Sequence, residues 1–191
     1  MSKRTGGRTG HVILGFLSWR PWAGYDLKQL VDSSVSHFWS ESYGQIYPTL
    51  RRLVERGWAT AREDEEADGR GREPYAITPQ GRAELNRWLS TSPTPTPLRN
   101  ETLLKLFFSG EIGPRAAREH ILSFQDKTRS ELVEFEAIAR RLSEERGDHS
   151  HLPYWLLTIR YGIREHEAHL EWCEESLRTL DEIAGSVRAG P

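Results

Sequence analysis

Apolar residues follow a helical period through the first third of the chain. Residues 12–17 are apolar on nearly every side, which predicts a buried helix that Pro21 ends. A second helix is predicted over about 24–33, with its inner face formed by Tyr25, Leu27, Leu30 and Val31. The beginning of the chain is therefore predicted to contain two successive helices.

A third helix is predicted over 42–56. Ser42 is the expected N-cap and Gly57 the expected residue just past the C-cap, because these residue types are favoured at those positions. Its apolar residues recur at i, i+4, i+7 and i+8 and form one stripe: Ile46, Leu50, Leu53 and Val54. The remaining positions of this helix are mostly polar and form its other face.

A β-hairpin and a fourth helix are predicted next. Residues 58–62 and 75–77 have the pattern of strands, and the polar, glycine-bearing segment 63–72 is the expected hairpin tip. Thr78 and Pro79 are typical of an N-cap and a first helical residue, so a helix is predicted from there to about residue 89. Three helices followed by a strand, a wing and a strand are the element order of a winged helix-turn-helix.

A proline-rich segment divides the chain. Three alternating prolines within 91–97 cannot continue a helix, which predicts a stiff linker. The expected organisation is a flexible basic tail, a winged-helix domain, a linker and a helical domain, at residues 1–10, 11–92, 93–98 and 99–191. Residues 1–98 carry 13 Lys and Arg against 11 Asp and Glu, a net charge of +2, whereas residues 99–191 carry 13 against 17, a net charge of −4. Nucleic acid is therefore expected at the first domain.

The second half of the chain is predicted to be entirely helical. A short helix over 100–108 is followed by long helices over about 115–146 and 152–184. The last helix carries apolar positions at alternating spacings of three and four, which is typical of a coiled-coil seam: Leu156, Ile159, Ile163, His166, Leu170, Cys173, Leu177 and Leu180. A seam of this length is more than a small domain can cover, so a second copy of the chain is the expected partner. The predicted fold class is mainly α, with an α+β winged helix followed by an antiparallel long-helix dimerisation domain.

His166 needs a hydrogen-bond partner if the seam is buried. Glu165 or Glu167 of the partner subunit is the preferred candidate. Two copies of His166 meeting across a twofold axis, as a pH-sensitive pair, are the alternative.

Several function classes lack support in the sequence. The 191 residues contain no apolar run of about 18, and their one cysteine, Cys173, allows no intrachain disulfide. His166 and His169 are one residue too close for the zinc-protease spacing, and no nucleophile elbow, phosphate loop or dinucleotide fingerprint is present. We therefore expect a cytoplasmic protein that is not an enzyme and needs neither a cofactor nor a metal.

Three segments together resemble the PadR family of transcriptional regulators. The sequence YGQIYPTLRRL at 43–53 resembles the recognition helix of that family, GYDL at 24–27 resembles the start of its second helix, and REPYAITPQG at 72–81 resembles its wing strand and following helix. The longer members also carry a helical C-terminal domain. The resemblance implies a DNA-binding repressor, usually a homodimer and often responsive to a small molecule, with each half of a pseudo-palindromic operator contacted by one wing and one third helix.

The candidate DNA-binding residues are polar or basic and lie on the third helix, near the second helix and at the wing tip. Tyrosine, threonine, glutamine and arginine side chains reach phosphates and base edges, although each of them also fits an ordinary solvated face. The candidates are Ser42, Tyr43, Gln45, Tyr47, Thr49, Arg51, Arg52, Lys28, Arg70 and Arg72.

Tryptophans are candidates for an effector site, because an aromatic ligand stacks on such rings. Trp22 and Trp39 lie in or beside loops, and Trp155 and Trp172 lie on the last helix, where packing is the preferred alternative. The sequence thus predicts a dimeric, ligand-responsive transcriptional repressor of double-stranded DNA. The second hypothesis is a winged-helix adaptor that binds protein and has no specific DNA site.

Overall fold

The chain divides into two compact units, with the boundary between Pro95 and Thr96. The computed structural model describes residues 7–39, 45–61, 74–95 and 99–188. The first unit contains, in chain order, α1 (Gly7–Leu17), β1 (Trp22–Ala23), α2 (Gly24–Ser34), α3 (Ile46–Glu55), β2 (Ala59–Ala61), β3 (Pro74–Ile77) and α4 (Pro79–Leu89). Helix α1 takes in residues 7–10, which the sequence had assigned to a flexible tail; Gly10 is buried beside Leu53 and Thr49.

A small antiparallel sheet of order β1-β3-β2 closes the first unit. The central strand β3 pairs with β2 along Ala59–Ala61 and with β1 through Trp22 and Tyr75. The sequence predicted β2 and β3 but not β1. A two-residue strand has no period of its own, so its pairing with β3 comes from the tertiary fold.

The core of the first unit is formed by most of the apolar positions that the periodicity predicted, but Tyr25, which was predicted on the inner face of α2, is exposed. Its fully buried members include Ile13, Leu14, Leu17, Leu27, Ile46 and Leu50. Val54 was predicted on the same stripe as Ile46 and Leu50, but it is exposed. It occupies the edge of that stripe, in the last turn of α3.

The C-terminal cap of α3 and the N-cap of α4 are formed by the residues that the sequence predicted. Gly57 has φ +69°, and the amides of Gly57 and Trp58 donate to the carbonyls of Val54 and Leu53, which is the Schellman arrangement. Thr78 Oγ1 accepts from the Gly81 amide at 3.0 Å, as predicted for an N-cap. The described α3 begins at Ile46 with Gln45 before it, and the predicted N-cap, Ser42, lies outside the described residues.

The second unit consists of α5 (Glu101–Phe107), a 3-10 turn (Ser109–Glu111), α6 (Pro114–Glu145) and α7 (Leu152–Arg188). Helices α6 and α7 form an antiparallel hairpin. Arg118 near the start of α6 pairs with Asp181 near the end of α7, while Glu131 reaches His166 farther along. The ring of Phe135 packs directly on Gly162, where a β-carbon would lie 2.5 Å from Cε1.

Helix α6 of the same chain covers much of the predicted dimer seam. Ile159 and Cys173 are buried within the single chain, so their assignment to a dimer interface was wrong. The His166 ring contacts two acceptors of the same chain: Nε2 lies 3.2 Å from Glu131 Oε2, and Nδ1 lies 2.6 Å from the Gly162 carbonyl oxygen. The predicted partner, Glu165 or Glu167 of a second copy, was therefore wrong. The remaining seam positions are half-buried: Leu156, Ile163, Leu170, Leu177 and Leu180. The seam was read correctly as an interhelical contact, but the sequence did not reveal that α6 supplies the other side.

Candidate DNA-binding surface

The outward face of α3 presents a polar surface held in place by its buried stripe. Gln45, Tyr47 and Arg51 are exposed, while Ile46 and Leu50 anchor the opposite side of the helix in the core. Because the helix is fixed along one side, Tyr47 and Arg51, which are one turn apart on its outward side, form a row, and Gln45 is exposed beside its first residue. Such a row matches the way recognition helices enter the major groove.

Two of the predicted contact residues make contacts within the chain. Thr49 is 2 % exposed and faces the core, so its assignment to the groove-facing side was wrong. Arg52 donates through Nη2 to Thr49 Oγ1 at 2.7 Å and through Nε to the Pro48 carbonyl at 3.3 Å. These bonds hold the Arg52 guanidinium along α3, so it braces the helix.

Pro48 lies in the first turn of α3, as its third residue. The first amides of a helix have no intrahelical acceptor, so a proline here removes no helical hydrogen bond. The sequence left open whether Pro48 disturbs the helix, and its position shows that it does not.

Further exposed cations surround the same unit. Lys28 is exposed on α2, as expected for a backbone contact. The sequence missed Arg20, whose guanidinium lies 3.5 Å from the Trp22 ring centroid, and Arg56, which lies 5.1 Å from that of Trp58. Stacking on a ring fixes an arginine while leaving its donors available. Four other predicted residues, Ser42, Tyr43, Arg70 and Arg72, lie outside the described residues.

A charged cluster ties α4 to α1 behind this surface. Glu84 accepts from Arg87 Nε at 2.7 Å and lies 2.9 Å from His11 Nε2, and the His11 ring stacks on Trp88 at 4.8 Å. The hydrogen bond from Arg87, with that from His11, lowers the pKa of Glu84 to about 2. The Glu84 carboxylate is therefore charged at any pH where the protein works, and it links the two helices.

The candidate tryptophans make separate contacts within each unit. Trp22 packs against the core of the first unit and donates from Nε1 to the Phe16 carbonyl at 3.1 Å. Trp39 is half-buried near Arg8. Trp155 contacts His149 and Trp172 contacts Phe124, and these two tryptophans lie 17 residues apart on α7, about 25 Å. They do not line a common pocket.

The described part of the chain has no helix long and apolar enough to span a membrane. Within the same residues no three His, Cys, Asp or Glu side chains are grouped to hold a metal ion.

Two family models match the chain in succession. The Transcriptional regulator PadR-like family matches residues 13–87, and the Virulence activator alpha C-term family matches residues 98–181. The negative transcriptional regulator PadR of Bacillus subtilis is 26% identical over 179 residues, which cover 90% of this chain and 96% of that protein.

Solved structures agree with this match. Bacillus subtilis PadR in complex with operator DNA has a TM-score of 0.80 at 23% identity, covering 90% of this chain and 98% of the other. The same protein in complex with p-coumaric acid has a TM-score of 0.79 at 23% identity, covering 94% and 99%.

The fold and the exposed face of α3 define a winged-helix DNA-binding protein with a C-terminal helical unit. The family match at residues 13–87 and the similarity to PadR over 90% of the chain support a transcriptional regulator of the PadR-like family. It is a DNA-binding regulator and not an enzyme, as the sequence predicted.

Proposed function

We propose that this protein is a repressor that binds a pseudo-palindromic operator as a homodimer and leaves it when a small aromatic ligand binds. The observation that carries the proposal is the exposed pair Tyr47 and Arg51 on the outward side of α3, with Gln45 exposed at its N-cap, held in place by the buried side of the helix. Support for repression comes from the relative named a negative regulator, which has been solved on its operator.

Homodimerisation is supported by apolar side chains that a single copy leaves exposed. In the second unit these include Leu104, Phe107, Phe108, Leu157 and Tyr161. Leu104, Phe107 and Phe108 lie together at the end of α5, and Leu157 and Tyr161 lie together near the start of α7; exposed apolar patches of this kind mark interaction sites. A twofold dimer would place two recognition helices on half-sites about 34–36 Å apart, or a multiple of that distance.

Ligand release is supported by the relative solved with p-coumaric acid. That compound is a small aromatic acid, which is the ligand class expected from the sequence. We therefore use it as the first probe of release.

The test of DNA binding is fluorescence anisotropy with a duplex from directly upstream of the protein's own gene. A scrambled duplex of the same composition is measured beside it over a salt series. We expect the upstream duplex to bind at least about 1000-fold more tightly, with affinity falling steeply as salt rises. Equal, weak binding to any upstream or scrambled duplex would favour the winged-helix adaptor instead.

The test of release adds p-coumaric acid to the preformed complex. A fall in anisotropy that reaches the value of free duplex supports release by an aromatic acid. Unchanged binding up to millimolar ligand would overturn this part of the proposal for p-coumaric acid, while leaving operator binding standing.

A further inference from the structure

Two phenylalanines project from the end of α5. Phe107 is 81 % exposed and Phe108 is 60 % exposed, and their rings meet edge to face with centroids 5.0 Å apart. Leu103 and Leu104 on the same helix are also exposed. The pair thus forms an apolar knob, which we call the α5 knob. Such a surface is unfavourable in water unless something covers it.

A cleft lies at the other end of the hairpin, beside the turn that joins α6 to α7. Its volume is about 410 Å³. The first turns of α7 supply its apolar lining, namely Leu152, Pro153, Leu156 and Leu157. A cavity of about 150 Å³ lined by aliphatic and aromatic side chains binds a benzene molecule, so this cleft has room for two phenyl rings. We call it the tip cleft.

The knob and the cleft of one copy are separated by the length of α6. Phe107 lies seven residues before Pro114, where α6 begins, whereas the tip cleft follows the last residue of α6. The 32 residues of α6 span about 48 Å. A single chain therefore cannot bring its own knob to its own cleft.

We propose that the α5 knob of one copy occupies the tip cleft of a second copy. Two hairpins that lie antiparallel about a twofold axis bring each knob to the opposite cleft, so both contacts form at once. The proposal rests on the proposed homodimer and specifies its orientation. Apolar surface that each copy exposes at two distant places becomes buried in one symmetric interface.

Disulfide crosslinking tests this orientation in the full-length protein. Phe107→Cys and Leu157→Cys are prepared separately, mixed and oxidised. The native Cys173 is 0 % exposed and supplies no competing thiol. A disulfide needs Cα atoms about 4.4–6.8 Å apart, so it reports contact and not mere proximity. We expect a crosslinked dimer in the mixture and little in either variant alone.

The matched control is Val133→Cys on α6, because Val133 has the same exposed fraction as Leu157, 61 %, but does not line the tip cleft. Its mixture with Phe107→Cys should give no crosslinked dimer. Efficient crosslinking of Phe107→Cys to itself would mean that the two knobs meet each other, which overturns the proposal while the homodimer stands. A monomer by light scattering at micromolar concentration would overturn the homodimer as well.

Sedimentation of charge variants gives a second measurement. Phe107→Asp should weaken dimerisation at least about 100-fold, whereas Phe107→Leu keeps an apolar knob and should restore most of it. Because Phe107 is almost fully exposed in one copy, neither change should alter the helical circular dichroism of the monomer. A Phe107→Asp protein that dimerises as tightly as the unmodified chain would overturn the proposal.

Discussion

The ring of Tyr47 on α3 lies directly over Gly24, the first residue of α2. A β-carbon at position 24 would lie 2.6 Å from Tyr47 Cε1, closer than real side chains come. Tyr47 is nevertheless 50 % exposed. One side of the ring is therefore located by the backbone of α2, while the other is presented to the proposed DNA surface. Glycine at position 24 therefore fixes the position of Tyr47, a candidate DNA-contact residue.

Gly24→Ala should weaken operator binding about tenfold while changing the free energy of unfolding by about 1 kcal/mol or less. The tyrosine ring can rotate away from the new methyl group, so the fold survives, but its position relative to the DNA changes. The measurement is anisotropy on the upstream duplex, beside thermal unfolding. In a Tyr47→Ala background, Gly24→Ala should have no further effect on binding, and an additive loss would contradict this coupling.

Gly81→Ala should destabilise the first unit by about 3 kcal/mol or more. A β-carbon there would lie 2.0 Å from the carbonyl oxygen of Trp58, which is backbone and bonded to the Thr78 amide. Thermal unfolding measures the loss. The matched control is Gly15→Ala in α1, where no atom lies within 4 Å of the new methyl group. That change should leave stability unchanged or raise it by up to about 1 kcal/mol.

Arg51 and Arg52 are adjacent but should respond differently to alanine. Arg51→Ala removes an exposed cation of the recognition face, so we expect a lower affinity and a salt slope smaller by about 1. Arg52→Ala should mainly lower stability, by about 1 kcal/mol, because Arg52 braces Thr49. Arg115→Ala in the second unit is the control for a lost surface charge. Equal salt slopes for Arg51→Ala and Arg115→Ala would remove Arg51 from the interface.

The Glu84 cluster predicts a loss of stability in acid. The folded pKa of about 2 lies below the ordinary value of 4.5, so the carboxylate stabilises the fold fully above about pH 5. That contribution, of order 1–3 kcal/mol, should be lost as the pH falls from about 5 to 2. Urea unfolding across this range should show a weaker pH dependence for Glu84→Gln than for the unmodified chain. Glu55→Gln, at an exposed position of α3, should retain it. If the free energy of unfolding of Glu84→Gln and of the unmodified chain falls equally between about pH 5 and 2, the cluster is excluded as the cause.

Local signals in the sequence determined the elements of the fold. The stripe Ile46, Leu50 and Leu53 requires one buried side of a helix, and Gly57 ends it because few other residues adopt φ +69°. Thr78 followed by Pro79 began α4 at the predicted residue. Each of these depends on neighbours within about four residues along the chain, which is the range that a sequence pattern shows.

The tertiary structure alone decided which surfaces meet. Strand β1 exists because β3 pairs with it, and α6 of the same chain covers much of the α7 seam, burying Ile159 and Cys173. Thr49 has a polar side chain, yet it lies on the buried side of α3. Its methyl group faces Gly10, and its hydroxyl oxygen accepts from Arg52. The close approach of Tyr47 to Gly24 likewise joins residues 23 positions apart. Burial and contact depend on the packing partner, and a helical period specifies that an apolar face must be covered without specifying what covers it.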